Sequence, residues 1–149
     1  QEILLLLLEQ ALDMLTERLQ IVLKKSEPVD IKLRHAMTAF FEVLSEHSDL
    51  VSVLLLEYRS LNSELQSRHI ASRDRYEGLW RDLIQEGIQS GVFRSYDSAL
   101  TARSLLGVMN WTITWYRPTG QLSVGEITDH MADLFLNGLL IRPETDKGL

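Results

Sequence analysis

The sequence predicts an all-α fold, a bundle of six helices. Three observations carry this reading. Apolar residues recur at spacings of three and four along most of the chain. Residues that cap or break helices separate those periodic runs. Few segments show the period of two that a half-buried strand requires.

The first helix follows from Leu4, Leu8, Leu12, Leu15, Leu19 and Val22, an amphipathic stripe whose other face carries Glu9, Asp13, Glu17, Arg18 and Lys24. No Ser, Thr, Asp or Asn cap precedes it, and residue 1 is Gln rather than Met. The expectation is therefore that an upstream element precedes this helix. Ser26-Glu27-Pro28 breaks it and opens the second, since Pro is tolerated in a first turn. Leu33, Met37, Phe40 and Leu44 form the second helix's stripe, which ends near His47. Ser48 or Asp49 caps a third helix, with Leu50, Leu54, Tyr58, Leu61 and Leu65 in register. A fourth is expected from about Arg68 to Ser90, with Tyr76, Trp80, Leu83, Ile84 and Gly87 on one side and Gly91 as its stop. Asp97 caps the fifth, expected to reach about Tyr116 before Arg117-Pro118-Thr119-Gly120 ends it. The sixth opens with a capping box, Ser123 and Glu126, and is expected to reach about Ile141. The polar tail, residues 142–149, is expected to fray.

Composition narrows the functional classes. With 149 residues, 45% of them hydrophobic, the chain suits one domain and is too apolar to be disordered at a net charge of −6. No Cys is present, which excludes a disulfide scaffold and thiolate metal or redox sites and fits a reducing compartment. The negative charge argues against a chain that clamps nucleic-acid backbone by itself. No apolar run approaches the ~20 residues of a membrane helix. The longest, Ile3 to Leu8, is closed by Glu9 and Gln10 and lacks the basic lead-in of a signal peptide. A soluble cytoplasmic protein is expected.

The fifth helix is the most informative. Between Ser98 and Tyr116 the only charged residue is Arg103. Such a helix is covered on nearly all sides, and a partner copy is the economical cover for a domain of this size. The sixth helix carries an apolar stripe wider than one neighbour needs. A homodimer through these two helices is expected, with Leu105, Met109, Thr112, Tyr116, Ile127, Met131, Leu134 and Gly138 as interface candidates. The alternative is that both helices form the centre of a monomeric bundle.

Arg103, Gly107, Asn110 and Thr114 share one face of the fifth helix. Either Asn110 and Arg103 pair with neighbouring backbone or carboxylates, as buried polar groups must, or the stripe lines a cavity in which Gly107 leaves room. Aromatic residues gather on helices two to five, where such a cavity would lie. The candidate ligand residues are Phe40, Phe41, Leu44, Leu54, Tyr58, Tyr76, Trp80, Leu83, Arg103, Gly107, Asn110 and Trp111, with Arg59, Arg75 and Arg103 as anchors for an acidic group. Each aromatic taken singly is more often core than ligand wall. Catalysis has no support: the chain shows no nucleophile elbow and no Gly-rich phosphate loop. Glu126, His130 and Asp133 share one face of the sixth helix, but a solvated face explains them better than a metal site does. No enzyme and no cofactor is expected.

The stretch from Ala99 to Gly138 resembles the C-terminal half of TetR-family transcriptional regulators. The residues that carry the resemblance are Leu106-Gly107, Asn110-Trp111, Trp115-Tyr116-Arg117-Pro118, Gly120, Leu122-Ser123, Glu126-Ile127, and Leu134 with Gly138. The opening Gln1-Glu2-Ile3-Leu4-Leu5 is similar to the segment that follows the family's three-helix DNA-binding head. The resemblance extends to the subgroup that governs fatty acid or sterol breakdown and senses acyl-coenzyme A thioesters. It implies an all-α effector domain dimerised through its last two helices as a four-helix bundle, with a ligand cavity among the middle helices. It further implies that ligand shifts the first helix and changes the spacing of the DNA-binding heads, whose half-sites lie about 34 Å apart. Because residues 1–149 hold no helix-turn-helix head, operator binding is expected of the parent protein and not of this stretch. The alternative function is a helical interaction module with a filled core and no ligand.

Overall fold

The computed structural model describes residues 1–141. Among these, six α-helices occur in the order α1 (Glu2–Leu23), α2 (Val29–Glu46), α3 (Ser48–Leu56), α4 (Ser63–Gln89), α5 (Ser98–Trp111) and α6 (Val124–Leu139). Short 3₁₀ turns follow α3 at Tyr58–Ser60 and α5 at Thr112–Thr114. Among the described residues there is no strand, only an isolated bridge between Phe93 and Leu140. The expected tail at 142–149 lies outside the described residues.

The helix boundaries depart from the expected ones where a local signal overrides the period. The third helix does not run to Leu65. It ends at Leu56, and the Asn62 side chain accepts the Leu65 N–H at 3.0 Å, capping α4 five residues ahead of the expected start. Asn62 sits inside a stretch whose apolar spacing continues across the break, so periodicity alone merged two elements. The fifth helix stops at Trp111 because the chain tightens into the 3₁₀ turn before Tyr116. The caps of α5 and α6 form as expected: Asp97 Oδ1 accepts the Leu100 N–H at 2.9 Å and Ser123 Oγ accepts that of Glu126 at 3.1 Å.

α2 is the central helix. Its Leu33, Met37, Phe40, Phe41 and Leu44 are all buried, and it packs against α1, α3, α4 and α6. Phe40 and Phe41 meet edge to face, 5.3 Å between centroids. α5 lies on α4, away from this centre. The end of α4 is a Schellman motif: Val92 N–H bonds Gly87 O at 3.0 Å, Gly91 N–H bonds Ile88 O at 3.1 Å, and Gly91 takes φ +78°. A side chain at Gly87 would run into the Phe93 ring, so glycine there lets the returning loop pack down on α4. That loop then pairs with the end of α6, Arg94 N–H to Leu139 O at 2.6 Å. Arg34 of α2 holds the other flank of α6 through Asp133 at 2.6 Å and Asp129 at 3.8 Å.

Candidate functional site

A cleft of about 550 Å³ opens where α1, α3, α4 and α5 converge. That volume falls in the range of small-molecule sites, roughly 300–1,000 Å³. Each wall follows from a helical face. Leu12 and Leu15 come from the inner stripe of α1, and Leu54, Leu55 and Leu56 from the end of α3. Tyr58 opens the 3₁₀ turn that joins α3 to α4 and ends at Leu61. α4 contributes Arg73, Asp74, Tyr76 and Glu77, and α5 contributes Arg103, Leu106, Gly107, Asn110 and Trp111, with Ile113 and Thr114 beyond its end. The polar stripe of the fifth helix therefore faces this cleft. A Cβ at Gly107 would meet nothing within 4 Å, so the glycine leaves open space there.

The floor is apolar and the mouth is charged. Arg103 Nε donates to Glu77 Oε1 at 3.0 Å, joining α5 to α4 across the cleft. The Arg73 guanidinium lies over the Tyr58 ring, 4.7 Å from its centroid, and Arg59 Nε donates to the Tyr58 hydroxyl at 3.2 Å. The Arg59 hydrogen bond, with help from Arg73, draws the Tyr58 phenol below its ordinary pKa. Burial pushes the Tyr76 phenol well above the usual tyrosine range, so it is a neutral group in the wall. Behind Tyr58, 6.0 Å from its ring, His69 is fully buried and neither ring nitrogen has a hydrogen-bond partner among the described residues. Burial, and then the charge of Arg73, lowers its pKa.

Of the residues expected around a ligand, Leu54, Tyr58, Tyr76, Arg103, Gly107, Asn110 and Trp111 line the cleft. Phe40, Phe41, Leu44, Trp80 and Leu83 do not. They are buried in the core around α2 and the inner face of α4, where they fill space between helices. Arg59 and Arg75 also miss it, Arg59 donating to the Tyr58 hydroxyl from outside the lining and Arg75 turning back to the Ser72 hydroxyl at 2.9 Å, while Arg73 takes the cleft position. Leu12, Leu15, Asp74 and Glu77 were not anticipated. The leucines looked like any core stripe, and the one available signal for the acids was the lone Arg103 needing a partner.

The interface expectation is corrected in part. Leu105, Met109 and Thr112 have no exposed surface, and Tyr116 and Ile127 are buried too, all within the single chain. They are the face by which α5 and α6 attach to their own domain, where a partner has no access. Met131 is half-buried, while Leu134 and Gly138 are exposed. The outward apolar face instead carries Leu100, Val108, Trp111 and Trp115 with Leu134, and Trp111 is 68% and Leu134 62% exposed. A groove of about 380 Å³ between Leu100, Ser104, Leu134 and Gly138 runs along it. Asp133, one of the weighed metal candidates, is engaged by Arg34. No described helix is long and apolar enough to cross a membrane.

Comparison with known proteins bears on this geometry. The family described as tetracyclin repressor-like, C-terminal domain, matches residues 26–139. The HTH-type transcriptional repressor KstR2 of Mycobacterium tuberculosis is 28% identical over 136 residues, 89% of this chain and 68% of that protein. The TetR-family regulator PfmR of Thermus thermophilus superposes with a TM-score of 0.84 at 32% identity, covering 91% of this chain and 74% of that one. The structure of AibR in complex with isovaleryl coenzyme A and operator DNA superposes with a TM-score of 0.80 at 25% identity, over 89% and 72% of the two chains.

Proposed function

We propose, from the premise that this chain belongs to the tetracyclin repressor-like C-terminal domain family, that the cleft receives a lipophilic effector, an acyl-coenzyme A thioester. The observation that carries this reading is the make-up of the cleft. A volume of about 550 Å³ suits a ligand better than it suits the filled core of a mere interaction module. Its leucine floor matches an acyl chain, and its charged mouth matches the polar carrier that follows. The isovaleryl coenzyme A held by AibR supports the same chemistry.

The walls also suggest how occupancy is transmitted. Leu12 and Leu15 are among the buried residues that fix α1 to the bundle, and both line the cleft. A ligand that pushes on them moves α1, since a packed interior transmits displacement rather than absorbing it. In the parent repressor this shift releases DNA-binding heads that precede α1 from their operator. Two copies pair through the outward face of α5 and α6, and the dimer acts in the cytoplasm.

Trp111 sits in the cleft wall and reports on entry. Titration with acyl-coenzyme A thioesters of increasing chain length is expected to change tryptophan fluorescence and raise the melting temperature. Ligand at 100 times its dissociation constant adds about 2.7 kcal/mol to the folded state. A series producing neither change overturns the effector assignment.

A further inference from the structure

The cleft holds four charges whose sum is zero: Arg73, Asp74 and Glu77 from α4 and Arg103 from α5. Positions 73 and 77 are four apart and 74 and 77 three apart, so one helical face presents all three residues of α4. Both cations are engaged, Arg103 by Glu77 at 3.0 Å and Arg73 by the Tyr58 ring. The Asp74 side chain makes no hydrogen bond or ion pair among the described residues. The Glu77 side chain is only 24% exposed, whereas that of Arg103 is 72% exposed.

We infer that Asp74 and Glu77 are the charge-selectivity residues of this cleft, cancelling Arg73 and Arg103 so that an acyl chain enters on an uncharged thioester and amide segment and is refused as a free carboxylate. The inference rests on reading the cleft as the acyl-ligand site. A free carboxylate meets two like charges there. A carboxylate that reaches Arg103 shares that one guanidinium with Glu77, so two like charges are held side by side against a single cation. A carbonyl-bearing neutral segment faces no such repulsion. It accepts from the guanidinium N–H groups that Glu77 leaves unused, because one of five donors is taken.

The test uses the full chain and two probes of equal acyl length, uncharged S-decanoyl-pantetheine and decanoate, followed by calorimetric titration. The wild type is expected to bind the thioester at least about tenfold more tightly. In the Asp74→Asn, Glu77→Gln double variant, decanoate affinity is expected to rise on the order of tenfold at low salt, a gain that shrinks near 0.5 M salt, while the thioester changes by about twofold or less. Asp74→Asn alone removes an exposed group with no partner and should give part of the gain with unaltered melting. Wild-type binding of decanoate as tight as that of the thioester overturns the inference and leaves the effector reading intact. So does a double variant, folded by circular dichroism, that binds decanoate no better than wild type. If neither protein takes up either probe, the acyl-ligand reading itself fails and the selectivity falls with it.

Discussion

Gly107 lies on the cleft side of α5, and an added Cβ there meets nothing within 4 Å. Two substitutions at this position separate stability from binding. Gly107→Ala removes the entropic cost of an interior helical glycine, worth roughly 0.5–1 kcal/mol, and adds no clash. For a chain of this size 1 kcal/mol corresponds to about 2–4 °C, so Tm is expected to rise by about 1–4 °C with ligand affinity nearly unchanged. Gly107→Trp keeps part of that helical gain, because Trp is only some tenths of a kcal/mol worse than Ala. Its indole, however, stands where the ligand would. Thioester affinity is expected to fall by about tenfold or more while the apo protein melts no lower than wild type. Differential scanning fluorimetry gives the first quantity and fluorescence titration the second. A fall in Tm for Gly107→Ala would refute the reasoning, since it would mean that something packs on this face in solution. Unchanged affinity in Gly107→Trp would place the ligand elsewhere.

Three further outcomes are expected. Leu134→Glu, at a 62% exposed position, should give a folded monomer by light scattering, whereas Met109→Glu, with no exposed surface, should unfold the chain itself by circular dichroism. Gly87→Ala drives a methyl into the Phe93 ring and should cost about 1–3 kcal/mol, read as a Tm drop of several degrees. Because burial and Arg73 lower the His69 pKa, the unfolded chain binds a proton there more readily than the folded one. Stability from this group is complete above its ordinary pKa of about 6.5 and is lost as pH falls below it. His69→Phe should therefore show a shallower loss of denaturation midpoint than wild type from about pH 6.5 down to 5.

The helix count, the caps of α5 and α6 and the polar stripe of the fifth helix were legible in the sequence because each depends on neighbours within a turn or two. Neither Ser48 nor Asp49 caps α3, which starts at Ser48 behind His47 with no side-chain cap bond. Asp97 and Ser123 announce their helices by residue type, and both form the expected hydrogen bond. The break before Asn62 was missed because apolar spacing ran through it. The cleft was half legible. Arg103, Gly107, Asn110 and Trp111 share a side of one helix, which spacing reveals. Leu12 with Arg73, or Glu77 with Arg103, are joined only by the crossing of separate helices. Aromatic identity misled for a physical reason: Phe40, Phe41 and Trp80 are large and apolar, which predicts burial, and burial is as well satisfied by the core as by a ligand wall.

The interface error has the same root and points to what α5 does. Its apolar residues divide into two sets, Leu105 with Met109 and Leu100 with Val108 and Trp111, and hydrophobicity does not rank them. Only the position of α4 decides which set is spent on the domain, and the structure spends Leu105 and Met109. The polar stripe occupies the remaining side. α5 thus has an inward face that fixes it, a face that lines the cleft and an outward apolar face that is exposed. Trp111 belongs to both of the last two, lining the cleft while 68% exposed. A ligand that moves Trp111 consequently acts on the proposed dimer surface directly, whereas one that moves Leu15 acts through α1. Dimer affinity should then depend on ligand even in the absence of DNA, by the same factor with which dimerisation alters ligand affinity, because such coupling is reciprocal. Sedimentation equilibrium with and without a saturating thioester measures the first factor, and titration above and below the dimer dissociation constant measures the second. Two factors that both equal one would confine the ligand's effect to α1.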